Sequence, residues 1–401
     1  SFLVVFLWWL GGIWKHKDHE QNGPQLPPGP AGVPFLGCLD TLLKGPNAKK
    51  AFALSSIYGS VVRIKAGLSQ TIVLNDLNSI KTYLSHKHLL DRSPDWVQGA
   101  SIDVGFYAYR GKKWEVNRSF SLKLLREMGY GKPGMRAIIV EGCEQLVTRI
   151  AEAQGQPLDL LQLVLASACN NIGALIFGCR YPFDDSKHRQ LVNSIRDEFM
   201  LSRKKSMLSF LPSTLMNFAK HLLFTTAAAV HGTMEYIEAF VGEHIHCETG
   251  NVEPGNGSFL AKYAFYANES RRKDPYIHNN SSLKGNAVGF LIPATVTVSA
   301  MLMRILLLVT ANDEVQDRIQ GEIEAVVGSE RQPTWEDRYV MPYTMAVMWE
   351  AQRWHTLLPL GLPRWAVQDV VIGKYLVPRG STIIPNIWAV HNDPKHWIEP
   401  D

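Results

Sequence analysis

The spacing of apolar residues changes period along this chain, and each change marks an element. Val61–Gly67 and Gln70–Asn75 are short and rich in β-branched residues; with Gly67 and Ser69 at the turn between them, they predict a hairpin. Most of the chain beyond this hairpin carries apolar residues three and four apart, the period of an amphipathic helix. That pattern predicts helices over Lys112–Glu127, Arg136–Ala153, Leu158–Phe177, His188–Ser202 and Ala227–His246. Thr249–Lys284 is rich in Asn, Gly, Ser and charge and predicts loops. Ala287–Thr310 reads as a long apolar helix and Glu314–Val327 as an amphipathic one. Short strands are predicted to return over Trp365–Ile372 and Thr382–Pro385. The fold class is therefore mainly α with small β-sheets.

The first residues have a different pattern. Phe2–Leu10 is wholly apolar, the run continues through Trp14, and Lys15, His16 and Lys17 come next. This predicts a membrane anchor over residues 1–20, partial in length, since a full span takes about twenty apolar residues. The basic residues after it belong on the cytoplasmic side. The alternative is the core of a secretory signal. Prolines crowd Pro24–Pro30 and predict a stiff, non-helical hinge over 21–37, leaving 38–401 as the globular body. Met207–Val230 is unusually apolar, with Phe210, Leu211, Phe218 and Phe224, and has Arg203, Lys204, Lys205 and Lys220 around it. It reads either as a buried helix pair or as a second contact with an anionic membrane surface.

Composition narrows the class. With 46% apolar residues and a net charge of +4, the chain is not largely disordered, and no strong electrostatic case exists for a nucleic-acid partner. Cys38, Cys143, Cys169, Cys179 and Cys247 are irregularly spaced, which argues against a disulfide framework and for a reducing compartment. Sequons at Asn256, Asn268 and Asn280 would go unused in a cytoplasmic body. Neither a Gly-x-Ser-x-Gly elbow nor a Walker loop occurs. Gly129-Tyr-Gly131-Lys-Pro-Gly134 fits a dinucleotide fingerprint, but it comes after a predicted helix and contains Pro133, so it reads as a turn.

Candidate chemistry is concentrated on helices. Glu350 and Arg353 are three apart and share a face, among Met348, Trp349, Trp354 and Leu357, which suggests a buried pair rather than the usual surface one. Trp114 and Arg118 are one turn apart, which an ordinary amphipathic helix also allows. In the apolar helix, Pro293 removes a backbone donor, frees the Gly289 carbonyl and should bend the axis. Thr297 could simply bond back to its own turn.

The order of the motifs is more specific than any one of them. Trp114…Arg118, Thr310-Ala-Asn-Asp313-Glu314-Val-Gln316, Gly321-Glu-Ile-Glu, Asp337-Arg338 and Met341-Pro342-Tyr343-Thr344 come first. Glu350-Ala-Gln-Arg353, Pro359–Arg364, Val377-Pro378-Arg379-Gly380 and Trp388…Asp393-Pro394 come after them. In that order, from Pro27 to Asp401, they resemble a cytochrome P-450, a haem-thiolate monooxygenase, of the animal microsomal type. The resemblance implies the cytochrome P-450 fold, incomplete at the C-terminus. Residues 38–401 would be the catalytic domain without its cysteine loop, and no metal ligand lies in this chain. The iron-binding cysteine would fall roughly thirty residues past Asp401, as an axial thiolate.

The resemblance implies heme b, an NADPH-dependent flavoprotein reductase, an apolar small-molecule substrate (steroid, hormone, lipid or xenobiotic) and the cytoplasmic face of the endoplasmic reticulum membrane. It gives Trp114, Arg118 and Arg364 to the haem propionates, and Glu350 with Arg353 to a structural salt bridge. It offers Lys112, Lys113, Lys123 and Arg126 as a basic patch for the reductase. It gives Ala294 and Thr297 to oxygen activation, Ala294 where the family has glycine. Val296 stands where the family has an acid and cannot relay a proton. Candidate pocket residues are Ile102, Val104, Phe106, Phe290, Leu358, Leu360 and Leu362, each of which could equally be core. Two alternatives stay open: a haem-thiolate isomerase or dehydratase that uses no reductase, which Val296 favours, and a non-catalytic, truncated membrane protein.

Overall fold

The computed structural model describes residues 24–33, 37–38, 47–66, 69–93, 105–107, 109–208, 224–248, 257–270, 276 and 280–400. The expected anchor over 1–20 lies outside them, as do the side chains of 201–231 and hence most of the second apolar segment. In chain order the helices are α1 (Ala48–Tyr58), α2 (Leu77–Leu84), α3 (Gly111–Glu127), α4 (Pro133–Glu152), α5 (Leu160–Phe177) and α6 (Ser186–Leu208). They continue with α7 (Phe224–Glu248), α8 (Phe259–Ser270), α9 (Asn280–Thr310), α10 (Asp313–Val326), α11 (Pro342–Trp354) and α12 (Ile387–His391). The strands are β1 (Val61–Ala66), β2 (Ser69–Leu74), β3 (Arg364–Trp365), β4 (Val370–Ile372), β5 (Tyr375–Val377) and β6 (Thr382–Pro385). The fold is mainly helical with small sheets, as the sequence predicts.

The chain divides into two compact units. One is built from the described residues of Ser1–Ser101, Met200–Val230 and Leu358–Pro400. Its four-stranded sheet has the order β1-β2-β6-β3. The predicted hairpin forms the antiparallel pair β1/β2, from Val61↔Leu74 to Ala66↔Ser69. β6 joins β2 in parallel, and β3 pairs antiparallel with β6. Successive side chains of a strand point to opposite faces, so the valines and isoleucines of β1 and β2 serve two cores. Val61, Ile72 and Leu74 meet Ile80 and Tyr83 of α2, whereas Val62, Ile64 and Val73 meet Ala51, Leu54 and Tyr58 of α1. Asn47 and Asp76 start these helices by accepting the backbone N–H of Lys50 at 3.0 Å and Ser79 at 2.6 Å.

Two local differences from the sequence reading have physical causes. Trp365–Ile372 is not one strand: Trp365 ends β3 in the first sheet, and Val370 begins β4, which pairs with β5 in a second. The proline-rich hinge is also fastened. Pro28 accepts the Arg63 N–H at 2.8 Å, Pro27 accepts from Arg63 Nε at 3.1 Å, and Gln25 bonds both to Lys374 and to Leu376 beside β5. Proline carbonyls retain full acceptor strength although the ring nitrogen donates nothing. Gly29 lies so close that a Cβ would stand 1.7 Å from the Arg63 carbonyl oxygen.

The second unit comprises the described residues of Ile102–Phe199 and His231–Leu357. Its core gathers Leu165, Cys169 and Ile176 of α5, Ile195 of α6, Ile237 and Val241 of α7, Phe259 and Tyr263 of α8, and Ala287, Val288 and Leu291 of α9. α5 and α9 are both long and apolar enough to cross a membrane. α5, however, lies mostly inside this core, where α9 packs along it. α9 begins at Asn280, about two turns before its apolar run, so the predicted loop region is shorter than expected and also contains α8.

Candidate functional site

α3 divides its faces sharply. Asn117, Ser121, Leu124 and Leu125 are buried, Trp114 is half-buried and Arg118 is exposed. The Arg118 guanidinium carbon stands 5.7 Å from the Trp114 ring centroid, a cation–π spacing that keeps both on one side of the helix. Nearby cations are partly engaged. Lys112 pairs with Glu115 at 3.6 Å, Lys123 with Glu127 at 3.9 Å, and Lys113 Nζ lies 3.6 Å from the Tyr109 ring centroid.

Asn117, which sequence reasoning passed over, is fully buried between Trp114 and Arg118 in the sequence. Its amide donates to the carbonyls of Lys113 and Tyr276, each at 2.9 Å, and its oxygen accepts the Tyr263 hydroxyl at 3.1 Å. Asn286 of α9, equally buried, donates to the Asn117 oxygen at 3.3 Å and to the Tyr263 hydroxyl at 3.4 Å. The Asn286 oxygen in turn accepts the backbone N–H of Phe106 at 2.8 Å. α3, α8, α9 and the single 3₁₀ turn Gly105–Tyr107 are thus tied by one buried polar network. The available signal was register: Asn117, Ser121 and Leu124 fall at helical spacing on a stripe that should have been apolar.

On α9 the hydroxyls bond back to their own turns. Those of Thr295, Thr297 and Ser299 donate to the carbonyls of Leu291, Pro293 and Thr295, each at 2.7 Å. Such bonds leave the hydroxyl lone pairs free to accept. Thr295 and Ser299 are buried, Ser299 also reaching the Val164 carbonyl at 3.4 Å. Phe290, Ala294 and Thr297 recur at three and four residues on a half-open stripe, whereas Val296 is buried among the core side chains. The ring of Phe106 sits 5.1 Å from that of Phe290, so two candidate pocket residues are brought together. Ile102 and Val104 lie outside the described residues.

The Glu350–Arg353 pair corrects one expectation. Arg353 is buried and binds Glu350 through Nε at 2.7 Å and Nη2 at 2.5 Å, but the Glu350 side chain is 56% exposed. Trp349 and Trp354, expected to seal the pair, are 65% and 48% exposed. The hydrogen bond to Glu350 raises the Arg353 pKa despite the burial that opposes it. The bridge is therefore one-sided, with a buried cation and a wet anion.

In the other unit, Arg364 is half-buried on β3, with Nη1 3.4 Å from the Leu90 carbonyl. The preceding carbonyl, of Pro363, accepts from the buried Arg92 at 2.7 Å, which fixes the backbone that carries Arg364. Leu358 is exposed and Leu362 half-buried, but Leu360 packs against Val62, Ile64, Val73 and Ile384. Leu360 is partly buried at the edge of that core. Two clefts, of about 500 Å³ around His86, His88 and Asp369 and about 330 Å³ around Arg149, Gln162 and His188, contain none of the candidate residues.

A family model for cytochrome P450 matches residues 27–401. The chain belongs to the cytochrome P450 family. It is 26% identical to cytochrome P450 2G1 of Oryctolagus cuniculus over 400 residues, which is 97% of this chain and 78% of that protein. It is 30% identical to cytochrome P450 2F2 of Rattus norvegicus over 392 residues, covering 94% of this chain and 77% of that protein. Against cytochrome P450 2B9 of Mus musculus it is 27% identical over 389 residues, covering 96% and 79%.

Membership makes this P450 a haem monooxygenase in general class, an oxidoreductase whose family cofactor is haem. The residues present fit that group in two respects. α3 offers an exposed guanidinium and a half-buried indole side by side, a donor set suited to a propionate. α9 offers a half-open stripe, Phe290, Ala294 and Thr297, that can lie against a flat apolar ring. Cys169 of this P450 is sealed in the helical core, where burial pushes its thiol pKa up to about 12. That makes it an inert packing residue.

Proposed function

We propose that this P450 inserts one oxygen atom from dioxygen into an apolar small molecule of the steroid, hormone, lipid or xenobiotic class. Electrons come from an NADPH-dependent flavoprotein reductase, and the enzyme works on the cytoplasmic face of the endoplasmic reticulum membrane. The observation that carries this reading is the buried Asn117–Asn286 hydrogen bond. It fixes the turn bearing Trp114 and Arg118 against the helix bearing Phe290, Ala294 and Thr297, so that a propionate-binding pair and an apolar, hydroxyl-bearing stripe belong to one rigid framework.

Heme b, when bound, supplies the iron centre at which dioxygen is reduced. The chain's own residues supply the surroundings. Trp114, Arg118 and Arg364 hold propionates by charge-assisted hydrogen bonds. Ala294 keeps the helix surface low enough for the ring to approach. Thr297, whose hydrogen is directed at the Pro293 carbonyl, accepts a hydrogen bond from a water or a protonated group beside it. Phe106 and Phe290 exclude water and bind apolar substrate by stacking and burial. Leu358 and Leu362 are further lining candidates.

The test uses the complete gene product, reconstituted with haem, reductase and NADPH, under isotopically labelled dioxygen. A product carrying one labelled oxygen atom, formed only with NADPH and reductase, is expected. Product formed without either, or without label, would instead establish the reductase-independent rearrangement. One observation favours that second reading: the family's acidic position is occupied by Val296, which faces the core and cannot pass a proton.

A further inference from the structure

The Gly105–Tyr107 turn is held against α9 at two points. Its backbone is bonded through Phe106 N–H to the Asn286 oxygen at 2.8 Å, and its side chain lies against Phe290, four residues further along the same helix. Gly105 makes the approach possible. Its φ of +61° is a glycine conformation, and a Cβ there would stand 2.3 Å from the Asn286 side-chain oxygen and 2.4 Å from its backbone nitrogen. Asn286 cannot turn away to serve another partner, because its amide nitrogen is bonded to Asn117 and Tyr263. The neighbouring Tyr109 hydroxyl meets Ser282 at 3.1 Å, one turn before Asn286, so the segment after the turn is bonded to α9 as well.

We propose that Asn286 is a positioning residue for substrate selection: its side chain clamps the 105–107 turn to α9 and so sets the separation of Phe106 from Phe290. The consequence for selectivity rests on the monooxygenase reading above; the clamp itself does not. An apolar molecule packing beside these touching rings meets a wall whose position is fixed by a buried amide rather than by the rings themselves. Releasing the turn gives Phe106 freedom to move and relaxes discrimination between large, bulky molecules and small, flat ones. Neither Asn117 nor Asn286 need touch substrate for this.

The experiment compares the full-length haem-loaded protein with Asn286→Ala, Phe106→Ala and Gly105→Ala. Amide hydrogen exchange is read for 105–107 against Leu291 as the core reference. Affinities for progesterone and naphthalene, a large, bulky probe and a small, flat one, are read by equilibrium dialysis. In the parent the Phe106 amide is expected to be protected. Asn286→Ala should raise its exchange by roughly tenfold or more, the loss of one buried hydrogen bond. It should also move the progesterone-to-naphthalene affinity ratio in the same direction as Phe106→Ala. Gly105→Ala, whose Cβ has no room beside Asn286 and pushes the turn off it while keeping the Asn286 amide, should reproduce both effects and serves if Asn286→Ala fails to fold. An unprotected Phe106 amide in the parent would overturn the clamp. So would unchanged exchange in the variants, or faster exchange with an unchanged affinity ratio. Parent protein that binds neither probe would count against the monooxygenase reading, while exchange at Phe106 would still decide the clamp.

Discussion

Restoring the family's acid at position 296 is the sharpest test of how α9 is turned. Val296 is 5% exposed and belongs to the buried apolar cluster of its unit, a face away from Ala294 and Thr297. Val296→Asp therefore forfeits about 1.5–3 kcal/mol of apolar burial. It also buries a carboxyl with no partner designed for it, a further cost of roughly 1–3 kcal/mol even when protonated. The sum, about 3–5 kcal/mol, corresponds to a melting midpoint lower by roughly 10 °C in a unit of this size. The sign of the pH dependence is set by burial. The buried carboxyl's pKa rises above its unfolded value of about 3.9, so the folded state prefers it protonated. The deficit is smallest in acid and deepens as pH rises through the raised pKa. Thermal melts of parent and variant between about pH 5 and 8 give the assay, with Val296→Thr as a milder control whose hydroxyl can bond back to its own turn. A variant that melts with the parent at every pH, and couples NADPH use to product better than the parent, would refute the reasoning and turn residue 296 toward the oxygen stripe.

The geometry sets three further outcomes. His188 is buried, with its pKa pushed down to about 4 by burial despite the opposing charge of Asp185. The unfolded chain therefore takes up this proton first as pH falls from about 6.5, and up to about 3 kcal/mol of stability is lost by pH 4; His188→Phe should flatten the stability–pH curve over that window, measured by denaturant midpoints. At the one-sided bridge, Glu350→Leu should cost about 1–3 kcal/mol because it takes one carboxylate from a buried guanidinium, and Arg353→Leu less, because the Glu350 carboxylate is already wet; equal losses in chemical denaturation would contradict that asymmetry. Gly29→Ala has no room beside the Arg63 carbonyl, so it should lift the proline segment from β1 and make 24–33 cleavable in limited proteolysis at temperatures where the parent resists.

Much of the fold was legible because burial tracks period. The predicted spans of α3, α4, α5, α6, α7 and α10 differ from the observed ones by a few residues at their ends, and the β1/β2 hairpin pairs as its turn residues suggest. Elements too short to show a period were harder. β4 and β5 are three residues each and are defined by pairing with each other, which no local pattern encodes. Aromatic neighbours misled at Glu350, because Trp349 and Trp354 could cover the pair or face away from it, and both face away.

The candidate site itself depends on something periodicity does not report, which is where polar atoms find partners. The N-terminal part of α3 packs Val116 and Phe120 against the core, but its fully buried positions before Leu124 are the polar Asn117 and Ser121. The rotation of that part is fixed by this packing together with the bonds made by Asn117 to Lys113, Tyr276, Tyr263 and Asn286. Turning the helix by one residue would bury Arg118 in place of Asn117, and an uncompensated buried guanidinium costs several kcal/mol. The directions of Trp114 and Arg118 are thus tied to the residue between them in the sequence, which sits on the adjoining, buried face of the helix. The same amides hold the turn that carries Phe106. The proposed cofactor side and the proposed substrate side are therefore tied to one buried network, and a motif search that keeps Trp114 and Arg118 while ignoring Asn117 retains the proposed ligands and discards part of what aims them.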